Sequence, residues 1–316
     1  MRRSRFSWRV LAGGAGVTVV LCVVAISLAL SSGKSGRAPN TGAEHTLQVV
    51  AAENFWGSLV AQIGGTHVQV TSIISDPNVD PHTYESSAQT ARVFANANYV
   101  ILNGAGYDSW GQKLLGGNPN PSRKVLDVAA LLGKKQGDNP HFWYDPAYVN
   151  QVASRMEHDL ISLDPGNAPY YEQHYQALRA ALLPYQNRIT WIRQHFAGTK
   201  VAATEDIFTY LANAAGLNLI SPPAFTQAVA EGSDPPTASV AVFQNQITSK
   251  QAAVLICNRQ TVTPLTESMK KLAMFEGIPI VGVTETIQPP TISFQDWMNT
   301  QILALQTALS AHAPGN

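Results

Sequence analysis

Between Asn167 and Phe196 apolar residues recur at Tyr171, Tyr175, Leu178, Leu182, Tyr185, Ile189, Ile192 and Phe196, in alternating steps of four and three. That spacing keeps them on one face of a single helix roughly 45 Å long. Asn167 stands at its N-cap position and Pro169 falls in the first turn, where a missing amide is tolerated. Pro184 removes one backbone hydrogen bond inside the run, which predicts a kink, with two helices meeting there as the alternative. On each side of this segment four short apolar, β-branched runs alternate with helix-length stretches. Those before it are 47–52, 68–74, 99–103 and 124–128; those after it are 200–203, 218–221, 253–257 and 278–283. The alternation predicts an α/β fold of two lobes, each a largely parallel four-stranded sheet flanked by helices, joined by the long helix as a spine. The expected divisions are an N-terminal lobe over 46–166, the spine over 167–197 and a C-terminal lobe over 198–316. Within the first lobe, the helix that starts at Pro146 should bury Val149, Val152, Ala153, Met156 and Leu160, and pair Arg155 with Asp159 on its polar face.

Composition narrows the functional classes. The 316 residues, 45% of them hydrophobic, suffice for two packed cores. Lysine plus arginine equals aspartate plus glutamate at 21 each, and no long basic run follows the first few residues, so nucleic acid is not an expected partner. Arg2, Arg3, Arg5 and Arg9 precede an apolar run over 10–30, and a Ser/Gly-rich linker follows over 32–45. Residues 1–31 thus read as an export signal, cleaved or retained as a signal anchor, which would be the chain's one link to a membrane. Cys22 inside the run could carry a lipid, but Leu21 before it is bulkier than lipid-attachment sites favour. Cys257 sits in a strand-like run, so no disulfide within a domain is expected.

Two histidines follow prolines at places where apolar runs give way to helical ones, in Asp80-Pro81-His82-Thr83-Tyr84-Glu85 and Asn139-Pro140-His141-Phe142-Trp143-Tyr144-Asp145-Pro146. Imidazoles held on a rigid scaffold are what a borderline divalent metal binds. In parallel sheets ligands bind beyond the carboxyl ends of strands. His82, His141, Glu205 and Glu285 all fall there or close by, two in each lobe, so a cation bound by them would bridge the lobes. Each also has an ordinary reading: a solvated loop histidine, a helix-capping Glu205, a surface-turn Glu285. His45, His67, His174, His195 and His312 read as surface residues.

At these motifs, together with Ala203-Thr204-Glu205-Asp206-Ile207-Phe208-Thr209-Tyr210-Leu211 and Gly277-Ile278-Pro279-Ile280-Val281-Gly282-Val283-Thr284-Glu285-Thr286, the chain closely resembles the solute-binding proteins of metal-specific ABC importers. These are the cluster of manganese- and zinc-binding lipoproteins and periplasmic zinc-binding proteins. The resemblance spans 47–309 and implies two α/β lobes joined by a rigid helix, with His82, His141, Glu205 and Glu285 as metal ligands. Zinc-type members usually carry a histidine where this chain has Glu205, and often a histidine-rich loop in the region that corresponds to 118–139, which here has no histidine. The fourth ligand is commonly aspartate in the family and glutamate here. Two imidazoles and two carboxylates favour manganese, with zinc close behind and ferrous iron as a further alternative.

The expected function is capture of Mn2+ or Zn2+ outside the cell membrane and delivery to a membrane ABC permease with its ATPase, by a monomer that closes only slightly about its spine. It is not expected to be an enzyme: a secreted zinc metallohydrolase would need an open coordination position and a motif such as His-Glu-x-x-His, which is missing. A metal-binding surface adhesin is a further alternative. Asp145 and Tyr84 are candidates to orient the histidines, against helix capping and core packing as their ordinary roles. The turn-forming loop from Glu231 to Pro236 is a candidate docking site for the permease.

Overall fold

β1 (Leu47–Glu53), β2 (Val68–Ile74), β3 (Tyr99–Leu102) and β4 (Lys124–Asp127) form one sheet in the order β2-β1-β3-β4. β5 (Lys200–Ala203), β6 (Asn218–Leu219), β7 (Leu255–Asn258) and β8 (Ile280–Val283) form a second in the order β6-β5-β7-β8. Every pairing is parallel, with Leu47 opposite Val68, Val49 opposite Tyr99 and Leu255 opposite Ile280. The computed structural model describes residues 46–312 apart from 77, 80, 82 and 83. The export segment, the linker, Cys22 and His82 therefore lie outside the described residues. Among those described, no helix is long and apolar enough to cross a membrane.

Parallel strands need crossovers, and helices supply them: α1 (Asn54–Gly64), α2 (Ala88–Asn96), α3 (Ser109–Gly117) and α4 (Val128–Leu131) in the first half, then α5 (Pro146–Leu163) leading into α6 (Ala168–Phe196). The second half carries α7 (Thr209–Ala214), α8 (Pro223–Ala230), α9 (Thr237–Thr248), α10 (Pro264–Phe275) and α11 (Phe294–His312). Helices on both faces explain why β3 and β7 are buried at every residue, as their near-continuous apolar sequence requires. The strands agree with the runs read from sequence, within one or two residues at their ends.

α6 is the predicted spine. It continues through Pro184, and Tyr171, Leu178, Leu182, Tyr185, Ile189 and Ile192 are its buried stripe. It packs on α1 and α5 of the first lobe and on α11 and α7 of the second. One apolar cluster accordingly runs from Val49 and Phe55, through Leu182 and Ile189, to Val283 and Trp297, while the outer face of each sheet has a smaller cluster of its own.

Local details refine the sequence reading. Asn167 occupies the N-cap position of α6 as expected, but its side chain makes no capping bond and donates instead to Asp164 Oδ2 at 2.8 Å. The segment after Glu205 opens with a 3-10 turn, Asp206–Phe208, before α7 begins. Arg155 does pair with Asp159, at 2.9 Å, but that carboxylate is buried, because Tyr99 and Lys124 also reach it at 2.9 and 3.1 Å. Three surrounding donors are what make a buried carboxylate tolerable there.

In each sheet the chain order reverses beside the first strand, β1 or β5, so successive loops at the carboxyl ends diverge and leave a crevice. The ends of β1, β3, β5, β7 and β8 carry the polar residues considered next.

Candidate metal centre

His141 is placed by its own motif. Phe142, Trp143 and Tyr144 form a 3-10 turn and are all fully buried, Trp143 stacking on Phe55 with ring centroids 4.0 Å apart. Burying three aromatic side chains in succession fixes the backbone at His141, whose ring is itself buried. Its Nδ1 lies 2.8 Å from Asn139 Oδ1. Asn139 Nδ2 donates to the Asp206 carbonyl at 2.8 Å, and a carbonyl only accepts, so Oδ1 is the atom that faces His141. It follows that Nδ1 carries a proton, and the coordinating lone pair is directed through Nε2. Nε2 in turn stands 3.3 Å from Glu285 Oε2. Two acceptors facing each other at that separation call for a positive charge, a proton or a metal cation, beside them, and this is the feature of the site that fits a cation.

Glu285 follows β8 and is fully buried, which overturns its reading as a surface-turn residue. Asn258, at the end of β7, donates from Nδ2 to Oε1 at 2.8 Å. Tyr107 donates from the other lobe to Oε2, also at 2.8 Å. The neighbours of Glu285 are held as firmly: Thr284 N–H donates to Gln301 Oε1, and the Tyr144 hydroxyl lies 2.9 Å from both that oxygen and the Thr284 carbonyl.

Glu205 follows β5, is 1% exposed, and its side chain caps no helix, so the capping role is not the one it plays. The Tyr144 phenol is pushed well up, first by burial and then by the charge of Glu285, with Glu205 acting more weakly in the same direction. His141 and Glu285 stand in direct contact across the lobes and Glu205 is buried just beyond β5, while His82 falls outside the described residues. Among the described residues no three histidine, cysteine, aspartate or glutamate side chains converge as a metal-holding group.

Several residues that hold this arrangement had no assigned part in the sequence reading. Asn139 was visible within its motif but without a role. Tyr107 and Asp108 close the loop after β3, where Gly104, Ala105 and Gly106 all have positive φ, 78°, 56° and 95°. A Cβ on Gly104 would come within 2.3 Å of Asp127 Oδ1, so only glycine fits there. Asp108 accepts from the Asn103 and Gly104 amides at 2.6 and 2.9 Å, tying the loop shut, and burial pushes its carboxyl up to about 7. Glu53, the last residue of β1, is fully buried, and its carboxyl is pushed well above the usual range by burial, then by Asp108 and Glu285. Of the two candidates to orient histidines, Asp145 caps α5 by accepting from Ala147 N–H at 2.8 Å. Tyr84 packs edge-on against Trp110 and bonds to Thr90. These are the contacts of helix capping for Asp145 and of core packing for Tyr84.

The profile of the family described as "ZnuA: Zinc-uptake complex component A periplasmic" matches residues 49–308. The chain belongs to this family. Its members here are binding proteins rather than enzymes. Within the family the chain is 24% identical over 215 residues to the metal ABC transporter substrate-binding lipoprotein FimA of Streptococcus parasanguinis, covering 63% of this chain and 69% of the relative. It is 24% identical over 184 residues to the manganese-binding lipoprotein MntA of Halalkalibacterium halodurans, covering 55% and 59%. Among solved structures, the periplasmic zinc binding protein TroA of Treponema pallidum superposes with a TM-score of 0.70 at 18% identity, over 85% of this chain and 99% of TroA. At that identity the likeness establishes the fold: two parallel four-stranded sheets with a long connecting helix.

Proposed function

We propose that this protein captures a divalent transition metal between its two lobes, outside the cell membrane, and delivers it to a membrane ABC permease. The single observation that carries the reading is His141, its Nδ1 proton fixed by Asn139 and its Nε2 turned toward Glu285 Oε2 across the lobe interface. A cation joining these two atoms ties the lobes together. Glu205 from the second lobe and His82 from the first complete the proposed donor set. The relatives support the cargo class and the partner: FimA is named as a metal ABC transporter substrate-binding lipoprotein and MntA as a manganese-binding lipoprotein. They are also named as lipoproteins or periplasmic proteins, which accords with an exported protein anchored or released through its N-terminal segment.

Carboxylates and neutral imidazoles are the binding forms, so protons compete with the metal and affinity falls as the pH drops through the histidine range. The test is metal content and competitive affinity for Mn2+, Zn2+ and Fe2+ of the purified protein, beside His82→Ala and Glu205→Ala. One tight equivalent in the parent, lost in both variants, is the expected outcome. Absence of tight binding in the parent, or binding indifferent to both substitutions, would overturn the proposal.

A further inference from the structure

Glu285 is held by two donors from opposite lobes, one on each oxygen. Asn258 occupies Oε1 and Tyr107 occupies Oε2, each at 2.8 Å. Both donors are themselves immobilised. Asn258 is 4% exposed; its Oδ1 accepts from Gln260 N–H at 3.0 Å, and its Nδ2 also reaches Thr261 Oγ1 at 3.1 Å. The Tyr107 ring sits edge-on to His141 and tilted against Trp143, with centroids 6.2 and 5.3 Å away, and its loop is tied shut by Asp108. Swinging the carboxylate therefore means breaking bonds to groups that cannot follow it.

The His141 contact identifies the oxygen that a cation meets first. Nε2 faces Oε2, whereas Oε1 is engaged by Asn258. A chelating carboxylate must bring both oxygens to the metal. Each oxygen has two lone pairs, so one hydrogen bond leaves a coordinating position on each; what the rigid amide and phenol restrict is rotation of the carboxylate, which keeps Oε1 directed at Asn258 while Oε2 faces Nε2. Coordination number separates the candidate cargoes: zinc is satisfied by four ligands, whereas manganese and ferrous iron favour higher, oxygen-rich coordination in which chelating carboxylates supply the additional positions.

We propose that Tyr107 and Asn258 are specificity-determining positioning residues, which hold Glu285 to one-oxygen coordination and so bias the cleft toward a four-coordinate, zinc-type ion over manganese. This rests on the metal-capture reading of the cleft. It also moves the preference away from manganese, which donor chemistry alone had favoured, because the identity of the donors says nothing of how many oxygens each can present.

The experiment compares the full chain with Tyr107→Phe, which keeps the ring and removes only the hydroxyl, and with Asn258→Ala. Zn2+ and Mn2+ affinities are measured by competition with a chelator, thermal unfolding of the metal-free proteins reports on folding, and X-ray absorption gives the zinc coordination number. Freeing either oxygen is expected to shift the Zn/Mn affinity ratio toward manganese by about 10- to 100-fold, the range typical of groups that orient a metal ligand. Parent zinc should be four-coordinate. A parallel loss of both affinities in the two variants would mark a merely structural role and overturn the inference, as would parent zinc bound by both Glu285 oxygens. A parent that binds neither metal would instead defeat the capture reading itself.

Discussion

Asn139 is the residue on which the proposed chemistry of His141 turns. Its amide cannot rotate without losing the bond to the Asp206 carbonyl, and the Tyr210 hydroxyl fixes its backbone carbonyl at 2.9 Å. It thereby fixes the tautomer of the neighbouring imidazole, the role that a carboxylate or carbonyl commonly plays behind a metal-binding histidine. Asn139→Ala should keep the fold and lower metal affinity by about 10- to 100-fold. Isothermal titration beside a thermal melt of the metal-free protein would check this, and an unchanged affinity would show that the imidazole is oriented by something else. The motif containing Asn139 was legible in the sequence as a unit, and so was the candidacy of His141, Glu205 and Glu285. What the sequence left open was whether each carboxylate lay inside or on the surface. Glu285 is flanked by threonines and followed by prolines, a composition shared by buried strand ends and exposed turns, and only packing distinguishes the two.

At the scale of elements, the two halves are joined by more than the spine. Asn54, at the start of α1, forms a reciprocal pair with Ile287 after β8: its Nδ2 donates to the Ile287 carbonyl at 3.3 Å and its Oδ1 accepts the Ile287 N–H at 3.0 Å. Both residues are buried. Ser58 on α1 accepts from the N–H of Phe294 at the start of α11, and Gln62 bonds with Gln295. These contacts, with the apolar stripe of α6, join α1 and α11 side by side. Asn54→Ala would leave two backbone groups of Ile287 buried without partners, at about 1–3 kcal/mol each. Urea unfolding should register a loss in that range, and a neutral result would mean that water reaches this part of the interface. The helices themselves were readable from their apolar period, α6 most clearly. Their pairing was not, because a stripe specifies that a face is buried and not which partner buries it.

At the scale of the whole molecule, four acidic groups are buried at strand ends or in the loops just beyond them, Glu205 and Glu285 in one lobe, Glu53 and Asp108 in the other. Burying them burdens the fold. Burial pushes the Asp108 carboxyl to about 7, with the amide bonds from Asn103 and Gly104 pulling it back only in part. From the ordinary aspartate value of about 3.9 up to that point, the folded protein retains a proton that the unfolded chain has released. Stability from this group therefore falls as pH rises through that window and levels off above it; Glu53, shifted in the same direction, adds to the trend. Urea unfolding of the metal-free protein across this pH range, beside Asp108→Asn, should show the parent losing stability with rising pH more steeply than the variant. Parallel curves would assign the trend to other groups.

The order of strands and helices, the spine, and the candidate metal donors at strand ends were determined by the sequence itself. They depend on periodicity and on residue chemistry within a few positions along the chain, which a linear reading captures. The tertiary structure alone decided how those donors are held. Tyr107 and Glu285 are 178 residues apart in sequence, and Asn54 and Ile287 are 233. Beyond the last rung of a strand the pleat no longer dictates which way a side chain points. There the direction of Glu285, the tautomer of His141 and the proposed choice among metals depend on which distant donors the packed lobes bring within hydrogen-bonding reach.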